Sequence, residues 1–96
     1  MAKYTVTAGT PLIIYLPQVT SGQYDERIVV LSPGSGGTMS YQASISNVDT
    51  IKGGGGVWVD STLGTVSDDV QQGLSTRVNA IKVTATTADG VCEVTL

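Results

Sequence analysis

A chain of 96 residues, 41% hydrophobic and only 14% charged, has room for one core and not for a second beside it. Eight acids outweigh five bases for a net charge of −3, and the bases (Lys3, Arg27, Lys52, Arg77 and Lys82) are scattered, which argues against a nucleic-acid partner. Histidine is absent, so the usual general base, the commonest metal ligand and every Ser-His or Cys-His pair are excluded.

With no Phe and an abundance of Val, Thr and Gly, the composition favours strands filled by β-branched and aliphatic side chains. Tyr4 and Val6 mark a short first strand before Ala8-Gly9. Leu12, Ile13, Ile14, Tyr15 and Leu16 form a continuous apolar run, and Ile28 to Leu31 form another. Such runs are expected of strands covered on both faces, or of a surface that another subunit covers. Asp25-Glu26-Arg27 between them reads as a solvated loop.

A turn-rich bend, Pro33 to Gly37, leads into a clean alternation: Met39, Tyr41, Ala43 and Ile45 on a buried face against Ser40, Gln42, Ser44 and Ser46 on a wet one. Four glycines, Gly53 to Gly56, precede a strand at Val57-Trp58-Val59, and Gly64-Thr65-Val66 begins a further one. Only the segment from Ser67 to Leu74 reads as helical, for one or two turns, with Ser67 as N-cap, acids in the first turn and Gly73 as the stop.

At the C-terminus, Val78 to Thr87 and Val91 to Leu96 flank Ala88-Asp89-Gly90, and Asp-Gly predicts a two-residue hairpin. In that register Ile81, Val83, Ala85 and Thr87 share the core face with Cys92, Val94 and Leu96, while Lys82, Thr84, Thr86, Glu93 and Thr95 face water. Residues 1–96 are thus expected to form a single all-β domain, a small antiparallel sandwich or jelly-roll-like barrel of seven or eight strands.

The search for chemistry returns mainly absences. Asp60, Asp68 and Asp69 are the one local acid cluster. An N-cap role explains the last two more simply than paired-carboxylate catalysis, and the spacing lacks the repeated acids of a calcium loop. No cofactor is expected. The two glycine-rich stretches lack the helix that phosphate-cradling loops require, and read as turns or as close approaches to a neighbouring subunit. Lone Cys92 cannot close an intramolecular disulfide and reads as a small buried hydrophobe. Trp58 has three readings: core filler, interface anchor, or sugar platform beside Tyr15, Tyr24 or Tyr41. The first residues run straight into strand pattern without a signal-like apolar core, and no stretch reaches membrane-span length, so residence in a cytoplasm is the simplest expectation.

The closing run Gly73-Leu74-Ser75-Thr76-Arg77-Val78-Asn79-Ala80-Ile81-Lys82-Val83-Thr84-Ala85, followed by Asp89-Gly90 and a last short strand, resembles small virion proteins of tailed bacteriophages. Trp58 and the Gly64-Thr65-Val66 step add to a likeness that covers roughly the last third of the chain. The resemblance implies a non-enzymatic capsid decoration or cement protein, or a small tail or head-completion part, assembled in the host cytoplasm and resident in the virion. Its implied partners are the major capsid protein or another virion protein, and further copies of itself in a homo-oligomer; no membrane enters. Leu12, Ile13, Ile14, Tyr15, Leu16, Trp58 and the glycine loops are then the interface candidates. A carbohydrate- or receptor-binding module presenting Trp58 and tyrosines is the alternative, and a small hydrolase working through acids alone is a third. The glycine run would also suit a hinge for strand exchange between subunits.

Overall fold

A computed structural model describes residues 1–17 and 26–96. Among these are eight strands: β1 (Ala2–Val6), β2 (Leu12–Tyr15), β3 (Glu26–Ser32), β4 (Thr38–Ser44), β5 (Val59–Asp60), β6 (Val70–Ser75), β7 (Ala80–Thr86) and β8 (Gly90–Val94). A single short helix, α1 (Val48–Lys52), lies between β4 and β5.

The strands form two four-stranded antiparallel sheets, β1-β8-β3-β6 and β2-β7-β4-β5, packed as a sandwich. The pairs β1·β8, β2·β7, β3·β6 and β4·β5 are those of one long hairpin with its bend between β4 and β5. Rolling that hairpin up so that β3 also meets β8, and β4 also meets β7, gives a jelly roll. All eight described strands find partners within the chain, so strand exchange is not needed to complete either sheet.

Alternation decides which side chains enter the core. Val29 and Leu31 of β3, Met39 and Tyr41 of β4, Ile81, Val83 and Ala85 of β7, and Cys92 and Val94 of β8 are all buried in one cluster. Each fully buried aliphatic side chain of this kind contributes about 1.5–3 kcal/mol. Val6, Ile14, Leu16, Leu74 and Val78 complete the buried set, with Tyr4, Leu12, Ala43, Leu63, Val66 and Val70 packed against it.

Several expectations change. The C-terminal pair is not a hairpin: β7 pairs with β2 and β4, and β8 with β1 and β3, so the chain crosses from one sheet to the other between them. The crossing is held by contacts from far away in sequence. Thr87 takes a positive φ of 75°, Asp89 Oδ1 accepts from the Ala8 N–H at 2.8 Å, and a Cβ on Gly34 would stand 2.2 Å from the Asp89 carbonyl oxygen. The core face expected for Ile81, Val83, Ala85, Cys92 and Val94 survives, because those residues now meet across the sandwich. Thr87 and Leu96 are exposed.

Residues 70–75 form strand β6 and not a helix, since Val70, Gln72 and Leu74 alternate inward along β3. The helix forms instead at Val48–Lys52. There Asn47 Oδ1 caps the Asp49 N–H at 2.9 Å, and the first glycines accept the C-terminus through Gly53 N–H to Asp49 O and Gly54 N–H to Ile51 O, both 3.0 Å. Strand β5 begins at Val59, and of Gly64-Thr65-Val66 only Val66 pairs, bridging Met39. Ile45 lies past the end of β4 and is 72% exposed, whereas Ser44 is buried.

Arg27 overturns the solvated-loop expectation: it lies in β3, is fully buried, and donates from Nη1 to the Thr95 carbonyl at 2.9 Å and from Nη2 to the Pro17 carbonyl. Asp25 and Tyr24 lie outside the described residues. No helix among the described residues is long and apolar enough to cross a membrane.

Candidate interaction surface

Strand β2 pairs with β7 so that Ile13 stands opposite Lys82 and Tyr15 opposite Ala80; β4 continues the rows with Gln42 beside Lys82 and Ser44 beside Ala80. Asp60 of β5 closes the first row beside Gln42, whose Nε2 donates to Asp60 Oδ1 at 2.8 Å. The outer face of this sheet therefore carries a cross-strand row of Ile13, Lys82, Gln42 and Asp60, with Tyr15 one row away.

That second row is partly roofed. Ser44 and Ala80 are buried although their register puts them on the outer side. Helix α1 reaches Tyr15 through Lys52, whose ammonium sits 5.2 Å from the ring centroid, and Trp58 returns beside β7, with the Lys82 ammonium 4.4 Å from its ring centroid. Both are cation–π distances. Ile51 on α1 is buried outside the main core cluster, and Gly56 sits against it so closely that a Cβ there would be 2.8 Å from Ile51 Cγ1. Within the four-glycine run it is Gly56 that packs tightly against the helix of its own chain, while Gly53, Gly54 and Gly55 are exposed.

The apolar run 12–16 divides by alternation. Ile14 and Leu16 are buried core residues and Leu12 packs, partly buried, against the core; Ile13 and Tyr15 are 36% and 38% exposed. The fold brings those two onto the same sheet face as half-buried Trp58. Tyr41, by contrast, points into the core.

Sequence reasoning missed the two lysines, although the C-terminal alternation had already put Lys82 on the wet side. It also missed an apolar rim along edge strand β5. Val59, opposite Ala43, and Val57, tied to Ser46 by a 3.0 Å hydrogen bond from its N–H to Oγ, are 65% and 70% exposed alongside Ile45.

No reactive cluster forms among the described residues. Asp68 and Asp69 lie exposed in the turn before β6, Asp60 is engaged with Gln42, and no group of three metal-ligating His, Cys, Asp or Glu side chains exists among the described residues. Cys92 is fully buried, and burial first, then the nearby Glu93 charge, pushes its thiol up to about 12. The thiol is therefore inert as a nucleophile near neutrality. Compared with known proteins, the chain matches no family model, no curated protein and no solved structure.

Proposed function

We propose that this protein is a non-enzymatic virion component of the decoration or cement type, which attaches to a shell protein through the outer face of the β2-β7-β4-β5 sheet. The observation that carries the proposal is the grouping of Ile13, Tyr15 and Trp58 on that face with Lys52 and Lys82 held against the two aromatic rings. Aromatic and aliphatic anchors are what a desolvated contact centre is built from, and here the half-buried Lys82 covers one of the rings.

Two further facts support the reading. Jelly rolls recur in viral capsid and lectin domains, although a fold alone does not assign a function. A domain of this size presents a small contact area, and attachment of many copies to a regular lattice compensates for weak single contacts through effective concentration. Stacking of a sugar on Trp58 would require displacing the Lys82 ammonium, so that residue favours a protein contact over a glycan platform.

Density-gradient sedimentation of lysate from the source, after induction of resident phage, with peptide mass spectrometry of the fractions, tests the proposal. The protein is expected at high copy number in virion-sized fractions. Recovery solely at the top of the gradient sinks it, and low copy number in particles replaces decoration with a tail or head-completion role.

A further inference from the structure

Strand β6 ends the first sheet, and its outer edge is built differently from the other three edges of the sandwich. Sheet edges usually carry devices that prevent pairing with another chain. β1 carries Lys3, β2 lies between Pro11 and Pro17, and β5 is two residues long and includes Asp60. β6 runs for six residues, Val-Gln-Gln-Gly-Leu-Ser, with neither charge nor proline.

The ladder shows which backbone groups that edge presents. The Ile28 carbonyl accepts from the Thr95 N–H and the Ile28 N–H donates to Thr95 Oγ1, both at 3.1 Å, so Ile28 turns its amide groups toward the β8 side. Direction alternates along an antiparallel strand, so Arg27, Val29 and Leu31 turn theirs toward β6, where they face Leu74, Gln72 and Val70. Gln71 and Gly73, both exposed, therefore aim their N–H and C=O groups away from the sheet. Ser75 ends the run, its carbonyl accepting the Val78 N–H at 3.1 Å.

We infer that β6 pairs antiparallel with β6 of a second copy of this chain, about a two-fold axis at Gln72, so that two four-stranded sheets become one. Three features select a second copy over any other extended strand. The first is spacing: Gln71 and Gly73 flank the axis, so Gln71 of each copy stands opposite Gly73 of the other and every outward backbone group of the two residues is answered. Val70 then faces Leu74 of the second copy, and the inner faces of the joined sheets stay continuous.

The second feature is side-chain fit. Glu26 lays its carboxylate over Gly73, where a Cβ would collide with it. Gln71 shares the outer face with Gly73, so in this register its amide can donate to the carboxylate resting over Gly73 of the second copy. A register centred on Gly73 would instead bring two Glu26 carboxylates together and would call on the Ser75 carbonyl, which is already engaged. The third feature is charge. Exposed Asp68 and Asp69 precede β6 and exposed Arg77 follows it, so antiparallel pairing sets the arginine of each copy at the acidic end of the other, whereas parallel pairing would set like charge beside like.

Sedimentation equilibrium of the whole protein over a concentration series, with amide hydrogen exchange at its two ends, tests the inference. A monomer–dimer equilibrium is expected, with exchange at Gln71 and Gly73 slowed in the concentrated sample. Gln71→Glu sets a carboxylate against Glu26 twice per dimer and is expected to weaken association about tenfold. Arg77→Glu is expected to weaken it about threefold, and Asp69→Lys added to the same chain to restore it. All three side chains are exposed, so unfolding of the dilute monomer stays at the parent's and lost association cannot be ascribed to lost folding. A protein that stays monomeric up to about 1 mM overturns the inference. So does a stoichiometry other than two, a dimer that leaves the Gln71 and Gly73 amides unprotected, or one indifferent to both Gln71→Glu and Arg77→Glu. Because β6 belongs to the other sheet from the proposed shell contact, the inference does not rest on that reading, and failure of either leaves the other standing.

Discussion

The Tyr41 hydroxyl on β4 donates a hydrogen bond to Gln72 Oε1 on β6, and so ties one sheet of the sandwich to the other through the interior. Gln72 passes the link on, its Nε2 donating to Thr62 Oγ1 at 2.6 Å. A polar side chain that enters an apolar core in this way is tolerated because its groups are matched.

Tyr41→Phe keeps the ring and leaves the Gln72 oxygen without its donor, so a loss of about 1 kcal/mol of stability is expected, read as a lower urea midpoint with an unchanged m-value. A midpoint that does not move would mean that the latch contributes nothing to holding the sheets together.

The bend Pro33 to Gly37 is tuned to the crossing between β7 and β8. Gly34→Ala would drive a Cβ against the Asp89 backbone oxygen, which cannot swing away, and is expected to cost about 1–3 kcal/mol. Gly36→Ala meets no atom within 4 Å and bears only the strain of a φ of 77°, about 1 kcal/mol. Thermal melts of the two variants should rank Gly34→Ala as the more damaging.

For Cys92 the folded thiol titrates near 12, above its unfolded value of 9.0. Folding therefore favours the protonated form. The associated stability is fully present below pH 9.0 and is lost as pH rises toward 12. Tyr41, also raised, first by burial and then by the Cys92 charge, acts in the same direction. Unfolding temperatures should fall across this alkaline range in the parent and fall less in Cys92→Val. At pH 7.5, labelling of the thiol by a maleimide should proceed no faster than unfolding.

On the contact face, Ile13→Asp and Tyr15→Ser change positions that are 36% and 38% exposed and should each cost about 1 kcal/mol of stability, which leaves the fold intact. If this face is the one that binds a shell, both variants should drop the number of copies retained per particle in gradient fractions. Retention equal to the parent would move the contact elsewhere.

Trp58 is the single tryptophan, so its fluorescence reports directly on Lys82. Lys82→Met should shift the emission and cost about 0.5–1 kcal/mol in stability. An unaltered spectrum would indicate that the ammonium does not rest on the ring in solution.

Much of the core was legible because side-chain alternation is a local property. Ile81, Val83, Ala85, Cys92 and Val94 were assigned inward from spacing alone and are all buried. The helical signature from Ser67 misled because a capping pattern is weak when a neighbouring strand offers a full ladder: Val70 to Ser75 pair with β3, and Leu74 is buried there. The candidate face was half visible. Trp58 and Tyr15 stood out as lone aromatics, but nothing near Lys52 or Lys82 in the chain announces which ring each would cover.

From its own residues, then, the chain determined an all-β domain, the inward and outward faces of most of its strands, an inert cysteine and the lack of histidine chemistry, because composition and period-two patterning act over neighbouring residues. Only the tertiary structure decided that β7 and β8 belong to opposite sheets, that the run 12–16 splits into core and surface, and that β6 lies at a sheet edge. Those outcomes depend on which distant strands pair, as β1 does with β8, and on close approaches such as Gly34 to Asp89. Pairing choices of that range are set by the packing of the whole sandwich, not by any local stretch of sequence.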